Sequence, residues 1–555
     1  SPENNFATLN PLDDDGHTNA EGNLKVSGNV IYGHEKSTFA VTSGKWYFEG
    51  KLATQQNDTG IGLANQNAST LSHYLGQTAD SVGYVSDGRF FYNGSSTSYT
   101  SWTTTDVGQI AFDADTGEIW IGKNNTWMNS GNPANGTGEV ATVNWNEFIV
   151  SARTVGSGAM VFNFGQNASF AGAITAGTET DGTGAVFKYA PPSGFLSLCT
   201  KNLPEPTIGA NSLTQASDHF NTAIYSGTGS SNAITVGFQT DWLWIKRRNG
   251  ATSHRIIDSS RGVDKYLSSN TTNAEDNATG IFTSFDSGGF TVEGNSNSTN
   301  GSSQTYVAWN WKAGGSASSN SDGNVTSTVS ANTDAGFSIV TFPADNLAGR
   351  TVGHGLSPLV PKMIITKGRA QTTAWYIYNY HIGAGNYLAL NSTAGSASSS
   401  GLWGNTHPTS TVFTIGNNDA GYNSGGANDV LAYCFADVEG YSKCGSYTGN
   451  GSATDGTFVY LGFRASFIMS KKTSGTGSWE IFDTTRDPIN YSGKYLLANS
   501  SDAEGDTGTN TAGHIFDILS NGFKLRNTNS DRNSSGGTYI YMAFAEAPFK
   551  YANAR

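Results

Sequence analysis

The stretch Y-V-A-W-N-W-K-A-G-G at 306–315 has the pattern of a short apolar strand that two glycines bring to an end. The chain repeats this pattern as V-L-A-Y-C-F-A-D-V-E-G at 430–440 and as Y-M-A-F-A-E-A-P-F-K at 541–550. The aromatic and β-branched residues in these stretches favour strands over helices. Three related strands in one chain predict three copies of one β-structured module.

Other residues recur around this strand in an order that never changes. They are a lysine that ends an apolar strand (Lys246, Lys367, Lys471), an Asp or Asn (Asp258, Asn379, Asp483), a Tyr followed by Leu (Tyr266, Tyr387, Tyr495) and a Phe (Phe290, Phe413, Phe523). With alanine as the anchor, 124 residues separate Ala308 from Ala432, and 111 separate Ala432 from Ala543. Solenoid repeats have periods of about 20–50 residues. Each copy is therefore long enough to bury its own core, and we expect separate beads in a row.

The anchor strand is apolar on both faces, which predicts that it is covered on both sides. Alanine occupies one face at each anchor. The other face carries Val307, Trp309 and Trp311, with the counterparts Leu431, Tyr433, Phe435 and Met542, Phe544, Glu546. These aromatic residues form either a hydrophobic core or a platform for sugar rings, and the pattern favours the core.

The composition of the 555-residue chain indicates an all-β protein. Charged residues make up only 14%, aromatic residues reach 12%, and there are 69 glycines, as in chains of short strands and tight turns. The net charge is −13, and the only compact basic cluster is Lys246-Arg247-Arg248. Binding to nucleic acid requires a cationic surface, so we do not expect a nucleic-acid partner. No apolar run approaches the ~18 residues of a membrane span, so membrane insertion is not expected.

The first ~190 residues carry a series of ordered motifs. They include S-G-K-W-Y-F-E-G-K (43–51), G-I-G-L-A (60–64), F-F-Y-N-G (90–94), D-V-G-Q-I-A-F-D-A-D-T-G-E-I-W-I-G-K-N (106–124) and V-F-N-F-G-Q (161–166). This series resembles a SPRY (B30.2-like) domain. The resemblance implies a concanavalin-like β-sandwich that binds partners through variable loops. It assigns no ligand-binding residue to this chain.

Prolines mark the boundary after this domain, because Pro191-Pro192 and Pro204-x-Pro206 cannot lie in a central strand. We predict a SPRY-like sandwich over 1–195, a linker over 196–215, and three repeats over 216–315, 316–438 and 439–555. The predicted fold class is all-β, with tandem β-sandwich domains of the concanavalin-like or jelly-roll type arranged as beads in a row.

Motifs for catalysis or metal binding are absent from the sequence. There is no H-E-x-x-H, no G-x-S-x-G, no phosphate-binding loop and no Cys/His metal spacing. Asp113-x-Asp115-x-Gly117 resembles the start of a calcium loop, but a hairpin turn explains it better because Asn124 occupies the position of the final glutamate. We expect no enzymatic activity, no cofactor, no metal and no catalytic residue.

Three weaker candidates remain open. Asp113, Asp115 and Glu118 could act as paired carboxylates for glycoside cleavage only if they meet in space. The acidic turn Asp13-Asp14-Asp15-Gly16 is either solvated or bound to a cation. The lysines Lys246, Lys367 and Lys471 either form a ladder of ligand-binding sites or end their strands in solvent, and the solvated interpretation is favoured.

Three cysteines, Cys199, Cys434 and Cys444, give no disulfide framework. Cys434 lies in an apolar strand pattern, so we expect it to be a small buried residue. This cysteine usage suggests assembly in a reducing cytosol.

The chain downstream of the linker also resembles a known class. G-F-Q-T-D-W-L-W-I-K-R-R (237–248), D-S-S-R-G-V-D-K-Y-L-S-S-N-T-T (258–272), T-S-F-D-S-G-G-F-T-V (283–292) and M-A-F-A-E-A-P-F-K-Y-A-N-A-R (542–555) are similar to repeats of tailed-bacteriophage virion proteins, especially those of marine cyanophages. The resemblance covers most of 196–555.

The resemblance implies a virion structural protein of the tail-fibre or adhesin type that binds a host-surface glycan or protein through sandwich loops. Its implied partners are other virion proteins and a host receptor. Its place is the extracellular particle, after assembly in the host cytoplasm, and a homo-oligomer is expected from that function. The alternatives are a capsid-decorating or neck/tail architectural protein without a receptor role and, third, a polysaccharide depolymerase.

Overall fold

The computed structural model describes residues 4–14, 16–28, 33–70, 73–209, 213–416, 429–490, 492–507 and 515–546. The chain divides into two compact units. The first consists of Ser1–Glu205 with Thr457–Gly462, and the second of Pro206–Gly456 and Phe463–Phe549.

The first unit is built from short strands and one 3-10 helix, Pro133–Asn135. Its strands are β1 Thr18–Ala20, β2 Lys25–Ser27, β3 Glu35–Val41, β4 Lys45–Thr54, β5 Gly60–Ala64, β6 Ser81–Val85, β7 Arg89–Tyr92, β8 Ser95–Ser98, β9 Gly108–Asp113, β10 Glu118–Lys123, β11 Thr126–Trp127, β12 Ala141–Thr142, β13 Phe148–Arg153, β14 Ala159–Asn163 and β15 Leu196–Ser197.

These strands form two facing sheets, as the SPRY resemblance implies. One has the order β1-β2-β14-β4-β9-β10-β11, with β12 beside β10 and β15 beside β4; the other has the order β3-β13-β5-β6-β7-β8. The apolar residues of alternate positions, such as Phe48, Ile61, Ile110 and Phe162, fill the space between the sheets. This is the core of a β-sandwich.

The hairpin predicted around Thr116-Gly117 is present, because β9 pairs with β10 from Asp113 opposite Glu118. Gly117 has a φ of +78°, and a Cβ atom at this position would lie 1.8 Å from the carbonyl oxygen of Val143. The turn therefore requires glycine for both its backbone conformation and its space.

The second unit contains the three repeats. The strands of repeat 1 are β16 Phe220–Ser226, β17 Asn232–Thr235, β18 Trp242–Arg247, β19 Arg255–Asp258, β20 Lys265–Tyr266, β21 Asp276–Asn277, β22 Phe282–Asp286, β23 Gly289–Val292 and β24 Thr305–Trp311. Those of repeat 2 are β25 Ser318–Asn320, β26 Ser327–Asn332, β27 Phe337–Pro343, β28 Arg350–Gly353, β29 Pro361–Gly368, β30 Tyr376–Asn379, β31 Asn386–Ala389, β32 Ala397–Ser398, β33 Val412–Ile415 and β34 Asp429–Ala436.

Repeat 3 contributes the remaining strands, β35 Ser442–Thr448, β36 Phe458–Tyr460, β37 Ala465–Lys472, β38 Trp479–Asp483, β39 Lys494–Leu497, β40 Gly505–Asp506, β41 Phe516–Leu519, β42 Gly522–Leu525 and β43 Thr538–Ala545. Strand β36 lies in Thr457–Gly462, which clusters with the first unit. Three short helical turns complete the described elements: 3-10 helices Ala216–Asp218 and Tyr380–Ile382, and the α-helix Ser400–Trp403.

Each of the three repeats has its own main sheet, and the arrangement of its four central strands is the same in all three. Its strand order is β16-β24-β18-β19 in repeat 1, β27-β34-β29-β30 in repeat 2 and β35-β43-β37-β38 in repeat 3. In repeats 1 and 2 a smaller sheet, β17-β23-β22 or β28-β33, contributes to the same apolar cluster as one face of the main sheet. In repeat 3 the rings of Phe482 and Phe516 lie 4.6 Å apart, and those of Phe516 and Phe523 lie 5.6 Å apart. The predicted all-β fold with tandem β-sandwiches is confirmed.

The strand register corrects one of the three alanine anchors. Ala308 lies opposite Ile245 and Ala432 opposite Thr366, each one position before the repeated lysine. In repeat 3 the residue at that position is Tyr541, opposite Ser470, and not Ala543. The equivalent of Ala308 is therefore two residues earlier than the sequence pattern indicates.

The other faces of the three main sheets meet in a shared aromatic core. Its members are Phe220, Trp242, Trp309 and Trp311 of repeat 1, Phe337, Tyr433 and Phe435 of repeat 2, and Phe467 and Phe544 of repeat 3. All of these residues are buried. The sequence predicted separate beads, and the structure differs here: each repeat has its own core, but the repeats also bury their aromatic faces together in one compact unit.

Candidate functional site: the junctions between the repeats

The repeats contact one another in a cyclic order. At the first junction, between repeats 1 and 2, the rings of Trp242 and Tyr433 lie 4.5 Å apart. At the second, between repeats 2 and 3, the indole nitrogen of Trp479 donates to the carbonyl oxygen of Ala389 at 2.9 Å. At the third, repeat 3 returns to repeat 1, and the rings of Phe467 and Trp309 lie 6.0 Å apart. The three repeats therefore close a ring within one chain.

The repeated lysines lie inside these junctions. The ammonium group of Lys367 donates to the carbonyl oxygen of Thr272 in repeat 1 at 2.9 Å, and that of Lys471 donates to Thr393 of repeat 2 at 2.9 Å. Lys246 donates to the carbonyl oxygen of its neighbour at 2.8 Å. Burial lowers the pKa of each lysine to about 8. The favoured sequence interpretation, a strand end in solvent, is wrong, because all three side chains are fully buried.

At each junction, a side-chain ring nitrogen of one repeat contacts a backbone carbonyl oxygen of the adjacent repeat, and the residues involved are equivalent in the three repeats. Trp375 Nε1 donates to Ser268 O at 2.9 Å, Trp479 Nε1 donates to Ala389 O at 2.9 Å, and His254 Nε2 lies 3.0 Å from Leu497 O. The three acceptors are themselves equivalent, since each follows the repeated Tyr-Leu pair. One interaction is therefore made three times around the ring, twice by tryptophan and once by histidine.

The neighbours of His254 determine its tautomer. The indole N–H of Trp244 donates to His254 Nδ1 at 2.8 Å, so Nδ1 carries no proton. The proton is then on Nε2, which donates to the carbonyl oxygen of Leu497. Burial lowers the pKa of this imidazole to about 3, and the charge of Lys246 acts in the same direction. His254 is therefore neutral and fixed between repeats 3 and 1.

The first junction also contains a buried network of charges. Arg261 contacts Asp258 at 2.6 Å, and the hydroxyl of Tyr433 donates to the same carboxylate at 2.7 Å. Glu275 lies 3.1 Å from Arg261 and 2.9 Å from Arg369 of repeat 2. Burial alone would raise the pKa of Glu275, but the hydrogen bonds and charges of the two arginines outweigh it and hold the pKa below its ordinary value.

The third junction repeats this network with equivalent residues. Arg486 contacts Asp483 at 2.5 Å, and the indole N–H of Trp309 donates to that carboxylate at 2.9 Å. Glu504 lies 3.0 Å from Arg486 and 2.9 Å from Arg248 of repeat 1. As at the first junction, the two arginines hold the pKa of Glu504 below its ordinary value against the effect of burial.

The second junction is uncharged at the equivalent positions. Asn379 replaces the aspartate, Ile382 the arginine three residues later, and Met542 the aromatic donor of the next repeat. Ser396 and Thr473 occupy the positions of the glutamate and the second arginine. The backbone N–H and the hydroxyl of Ser396 both donate to the carbonyl oxygen of Thr473, at 2.9 and 3.2 Å. The amide nitrogen of Asn379 is buried without a hydrogen-bond partner.

The three carboxylates of the first unit that were candidates for glycoside cleavage accept hydrogen bonds in and around a hairpin turn. Asp113 Oδ1 accepts from the backbone N–H of Asp115 at 3.0 Å, and Asp115 Oδ1 accepts from that of Gly44 at 3.1 Å. Glu118 accepts from the hydroxyl of Thr116 at 2.9 Å. This arrangement is a hydrogen-bonded hairpin turn, as the alternative to a calcium loop predicted.

The acidic turn near the start of the chain is only partly described. Asp13 lies 3.6 Å from the ammonium group of Lys36, and Asp14 accepts from the backbone N–H of Gly16 at 2.9 Å. Asp15 lies outside the described residues. Among the residues that the structure describes, no group of three His, Cys, Asp or Glu side chains is arranged to hold a metal ion.

The aromatic residues of the anchor strands belong to the core, as the favoured interpretation predicted. Trp309, Trp311, Tyr433, Phe435 and Phe544 are buried among rings of other repeats, so they offer no platform for sugars. Glu546, which the sequence grouped with them, is exposed. The cysteines Cys199, Cys434 and Cys444 are all buried and free. Burial raises the pKa of the Cys434 thiol to about 12.

The charged networks of the first and third junctions were not predicted from the sequence, although the sequence contains a signal for them. Repeats 1 and 3 carry D-S-S-R at 258–261 and D-T-T-R at 483–486, whereas repeat 2 carries N-Y-H-I at 379–382. Aspartate and arginine are thus kept or lost together. A buried carboxylate requires a partner, so this covariation within one chain is a sequence signal for burial.

These features define the class of the protein: an all-β chain with a SPRY-like sandwich and a ring of three related sandwiches. Residues 215–548, more than half of the chain, match the model of the family DUF7483, a domain of unknown function. The chain belongs to this family. Residues 45–137 match the SPRY domain model, so the chain also contains a SPRY domain.

Three of the solved structures that are similar to this chain are two SPRY domains and stonustoxin. The SPRY domain of human HERC1 is 17% identical, with a TM-score of 0.22, over 28% of this chain and 96% of that chain. The TRIM65 PSpry domain is 10% identical, with a TM-score of 0.24, over 28% of this chain and 89% of that chain. Stonustoxin is 16% identical, with a TM-score of 0.23, over 28% of this chain and 27% of that chain. The comparison with curated proteins gave no match.

Within the described part of the chain, no helix has the length and apolar character needed to cross a membrane.

Proposed function

We propose that this protein is a structural component of a bacteriophage virion, of the tail-fibre or adhesin type, without enzymatic activity. It binds a glycan or protein on the host surface through loops of its sandwiches, and it contacts other virion proteins. Its place is the extracellular particle, after assembly in the host cytoplasm. The likeness of 196–555 to tailed-phage virion repeats motivates this proposal.

One observation carries the structural part of the proposal: the residues that recur in the three repeats are directed into the junctions. Two of the three lysines, the ring nitrogen at all three junctions and, at two junctions, the aspartate of the Asp-x-x-Arg sequence contact the adjacent repeat. Residues repeated for catalysis or ligand binding would instead be accessible from outside. A ring tied in this way is suited to be a rigid body.

The SPRY domain is the part that we propose to contact the host. Its loops can vary without disturbing the sandwich core, which suits them to recognition. A single loop surface binds weakly, so we propose that the chain acts as a homo-oligomer, in which tethered sites raise the effective local concentration.

The purified full chain provides the test. We expect it to bind host cells in a saturable manner and to compete with phage adsorption, and we expect size-exclusion chromatography with light scattering to show an oligomer. If the oligomer shows no binding to host cells and no competition, the adhesin proposal is wrong.

The second candidate is an architectural role in the capsid, neck or tail without a receptor. The same rigid ring favours the architectural role, because a body whose repeats are held together by internal contacts can also keep other virion proteins at a fixed distance. Labelled antibodies against the SPRY domain distinguish the two in electron micrographs of the particle: label at a distal tip supports the adhesin, and epitopes that become accessible only after particle disruption support the architectural role. Release of reducing sugar from host polysaccharide would support the third candidate, a depolymerase.

A further inference from the structure

Repeat 2 carries three neighbouring side chains at its surface that take no part in the junction contacts described above. The ammonium group of Lys362, at the start of β29, lies 3.8 Å from the centre of the Tyr380 ring, and the centres of the Tyr380 and His407 rings are 4.9 Å apart. Lys362 and Tyr380 are half-buried, and His407 is exposed. We call Lys362, Tyr380 and His407 the surface cluster of repeat 2.

The cation of this cluster has no counter-ion. Within the residues that the structure describes, Lys362 forms no ion pair and no hydrogen bond. The Tyr380 ring stabilises the ammonium group through its π face but supplies no acceptor oxygen there. The Tyr380 hydroxyl makes no hydrogen bond to any described residue either. Both groups are therefore available to a ligand.

Tyr378 determines the tautomer of His407. The hydroxyl of Tyr378 lies 2.6 Å from His407 Nδ1, and this buried hydroxyl has no other hydrogen-bond acceptor in the described part of the chain, so it donates to Nδ1. Partial burial and the charge of Lys362 lower the pKa of His407, so the imidazole is neutral near pH 7. Its proton is therefore on Nε2. His407 thus presents an N–H donor at the surface.

The three groups of the cluster can all donate hydrogen bonds, and they come from three different segments. Lys362 lies in β29, Tyr380 begins the 3-10 helix Tyr380–Ile382, and His407 lies between the α-helix Ser400–Trp403 and β33. A cation beside neutral donors selects an anion, because hydrogen bonds to a charged acceptor are stronger. We propose that the surface cluster of repeat 2 binds a tetrahedral oxyanion, namely the phosphate or sulfate ester group of a glycan.

A tetrahedral oxyanion fits these donors better than a carboxylate does. A carboxylate has two oxygens in one plane, which match the parallel N–H groups of arginine, and the cluster contains no arginine. A lysine ammonium group acts instead as a point charge. A phosphate ester offers three strong acceptor oxygens in different directions, one for each donor of the cluster. With a net charge of −13 the chain as a whole repels anions, so binding requires these local groups.

The other two repeats lack this cluster. The residues equivalent to Lys362 and Tyr380 are Asp241 and Ser259 in repeat 1, and Ser466 and Thr484 in repeat 3. In repeat 1 the Ser259 hydroxyl donates to the Asp241 carboxylate at 2.8 Å, so this pair is closed and negatively charged. Repeat 3 has neutral side chains at both positions. We therefore expect one site per chain, in repeat 2.

Saturation-transfer difference NMR of the full chain tests this site with four related probes: glucose 6-phosphate, glucose 6-sulfate, glucuronate and glucose. We expect at least one ester to bind with a dissociation constant of about 1 mM. Its affinity should exceed that of glucuronate and of glucose at least about 10-fold, because only the ester offers an acceptor to every donor. The tighter of the two esters identifies the ester group that the site selects.

Variants test the donors separately. Lys362→Gln should weaken ester binding at least about 10-fold. Tyr380→Phe keeps the ring beside the ammonium group but removes the hydroxyl, so it should weaken binding about 5-fold. Lys472→Gln is the matched control, because Lys472 is a similarly exposed lysine without a hydrogen bond to described residues but lies in repeat 3, and it should leave binding unchanged.

Three results would overturn the inference: no binding of either ester to the wild-type chain, binding of glucuronate as tight as that of the esters, or equal losses in Lys362→Gln and Lys472→Gln. The wild-type comparison is decisive even if Lys362→Gln does not fold. The inference goes beyond the proposed function, which assigns host contact to the SPRY domain. Absence of ester binding therefore leaves the adhesin proposal intact, and absence of host-cell adsorption leaves this site intact.

Discussion

At the scale of single residues, the lysine that ends an apolar strand in each repeat is buried. Lysine is rarely buried, because an ammonium group loses its hydration there. Carbonyl oxygens from two segments replace the water around Lys471: Thr393 of the preceding repeat and Gly477 of its own, at 2.9 and 2.6 Å. The side chain therefore holds two parts of the chain together that are distant in sequence.

Replacing Lys471 by methionine tests this role, and the adjacent Lys472 provides a matched control. Lys471→Met keeps the volume but leaves buried carbonyl oxygens without a donor, so we expect it to lower the free energy of unfolding by about 2 kcal/mol. Lys472 is half-exposed, and Lys472→Met should change stability by less than about 0.5 kcal/mol. Urea denaturation followed by tryptophan fluorescence measures both. If Lys471→Met lowers the free energy of unfolding as little as Lys472→Met does, the hydrogen bonds of Lys471 do not contribute to stability.

His254 makes the second unit sensitive to acid. Its folded-state pKa is about 3, below the ordinary value of 6.5, so the unfolded chain binds a proton in a range where the folded chain does not. The stability that the neutral imidazole provides is complete above pH 6.5 and is lost as the pH falls towards 3. Within that window each pH unit costs up to about 1.4 kcal/mol.

Denaturation midpoints between pH 7 and pH 4 check this prediction in the wild type and in His254→Gln. Glutamine cannot be protonated, so the variant should lose less stability than the wild type over this range, although it is less stable at pH 7. His407→Gln is the comparison: partial burial and the charge of Lys362 lower the pKa of this exposed imidazole as well, so the variant should change the pH dependence, but less than His254→Gln does. Parallel pH profiles for wild type and His254→Gln would contradict the assignment.

At the scale of the structural element, the strand ending in Asp258, Asn379 or Asp483 and the turn after it vary as a set. Where aspartate is present, arginine follows three residues later and the next repeat supplies an N–H or O–H donor. Where asparagine is present, the turn carries Ile382 and the next repeat supplies Met542. The physical reason is that a buried carboxylate without its partners is strongly unfavourable.

A transplanted charge tests this dependence at the second junction. Asn379→Asp introduces a buried carboxylate without a cation, and we expect it to lower the free energy of unfolding by about 3 kcal/mol. Adding Ile382→Arg should recover at least half of that loss, because the equivalent arginines bond their aspartates at 2.5–2.6 Å. Thermal denaturation of the single and double variants measures the coupling. If the two changes are simply additive, the residues do not interact.

The strands themselves were largely predictable, and the error at Ala543 shows where sequence reasoning failed. The sequence M-A-F-A at 542–545 is similar to V-A-W-N at 307–310, so the sequence pattern aligned Ala308 with Ala543, two residues too late. Side chains alternate with a period of two along a strand, and a shift of two leaves each residue on the correct face. The prediction of which face is buried therefore remained correct although the register did not. The register of the anchor strand is determined by its pairing with the strand that ends in the repeated lysine, and this pairing is known only from the structure.

At the scale of the whole molecule, the shared aromatic core couples the stability of the three repeats. Trp311 packs against Phe467 and Phe544 of repeat 3 at 5.6 and 5.7 Å, and Trp242 packs against Tyr433 of repeat 2. The sequence indicated that both faces of the anchor strands are covered, but it did not indicate which residues cover them. The covering residues lie more than a hundred positions away, and no local pattern connects them.

Trp311→Ala tests the coupling. Removing this ring leaves a cavity in the shared core and should cost about 3–5 kcal/mol. Because the core belongs to all three repeats, amide hydrogen exchange should accelerate in repeats 1, 2 and 3 together. Phe285→Ala, which truncates a half-buried ring at the outer sheet of repeat 1, should affect repeat 1 alone. Faster exchange confined to repeat 1 in Trp311→Ala would mean that the repeats are energetically independent.

The uncharged second junction has a consequence for how such a protein can evolve. In a trimer of identical subunits, every mutation alters all three contacts at once, and a change tolerated at one is imposed on the others. Fusion of the copies into one gene removes that constraint. In this chain two contacts carry aspartates and arginines while the middle one carries neutral side chains, a difference that three separate identical chains could not have.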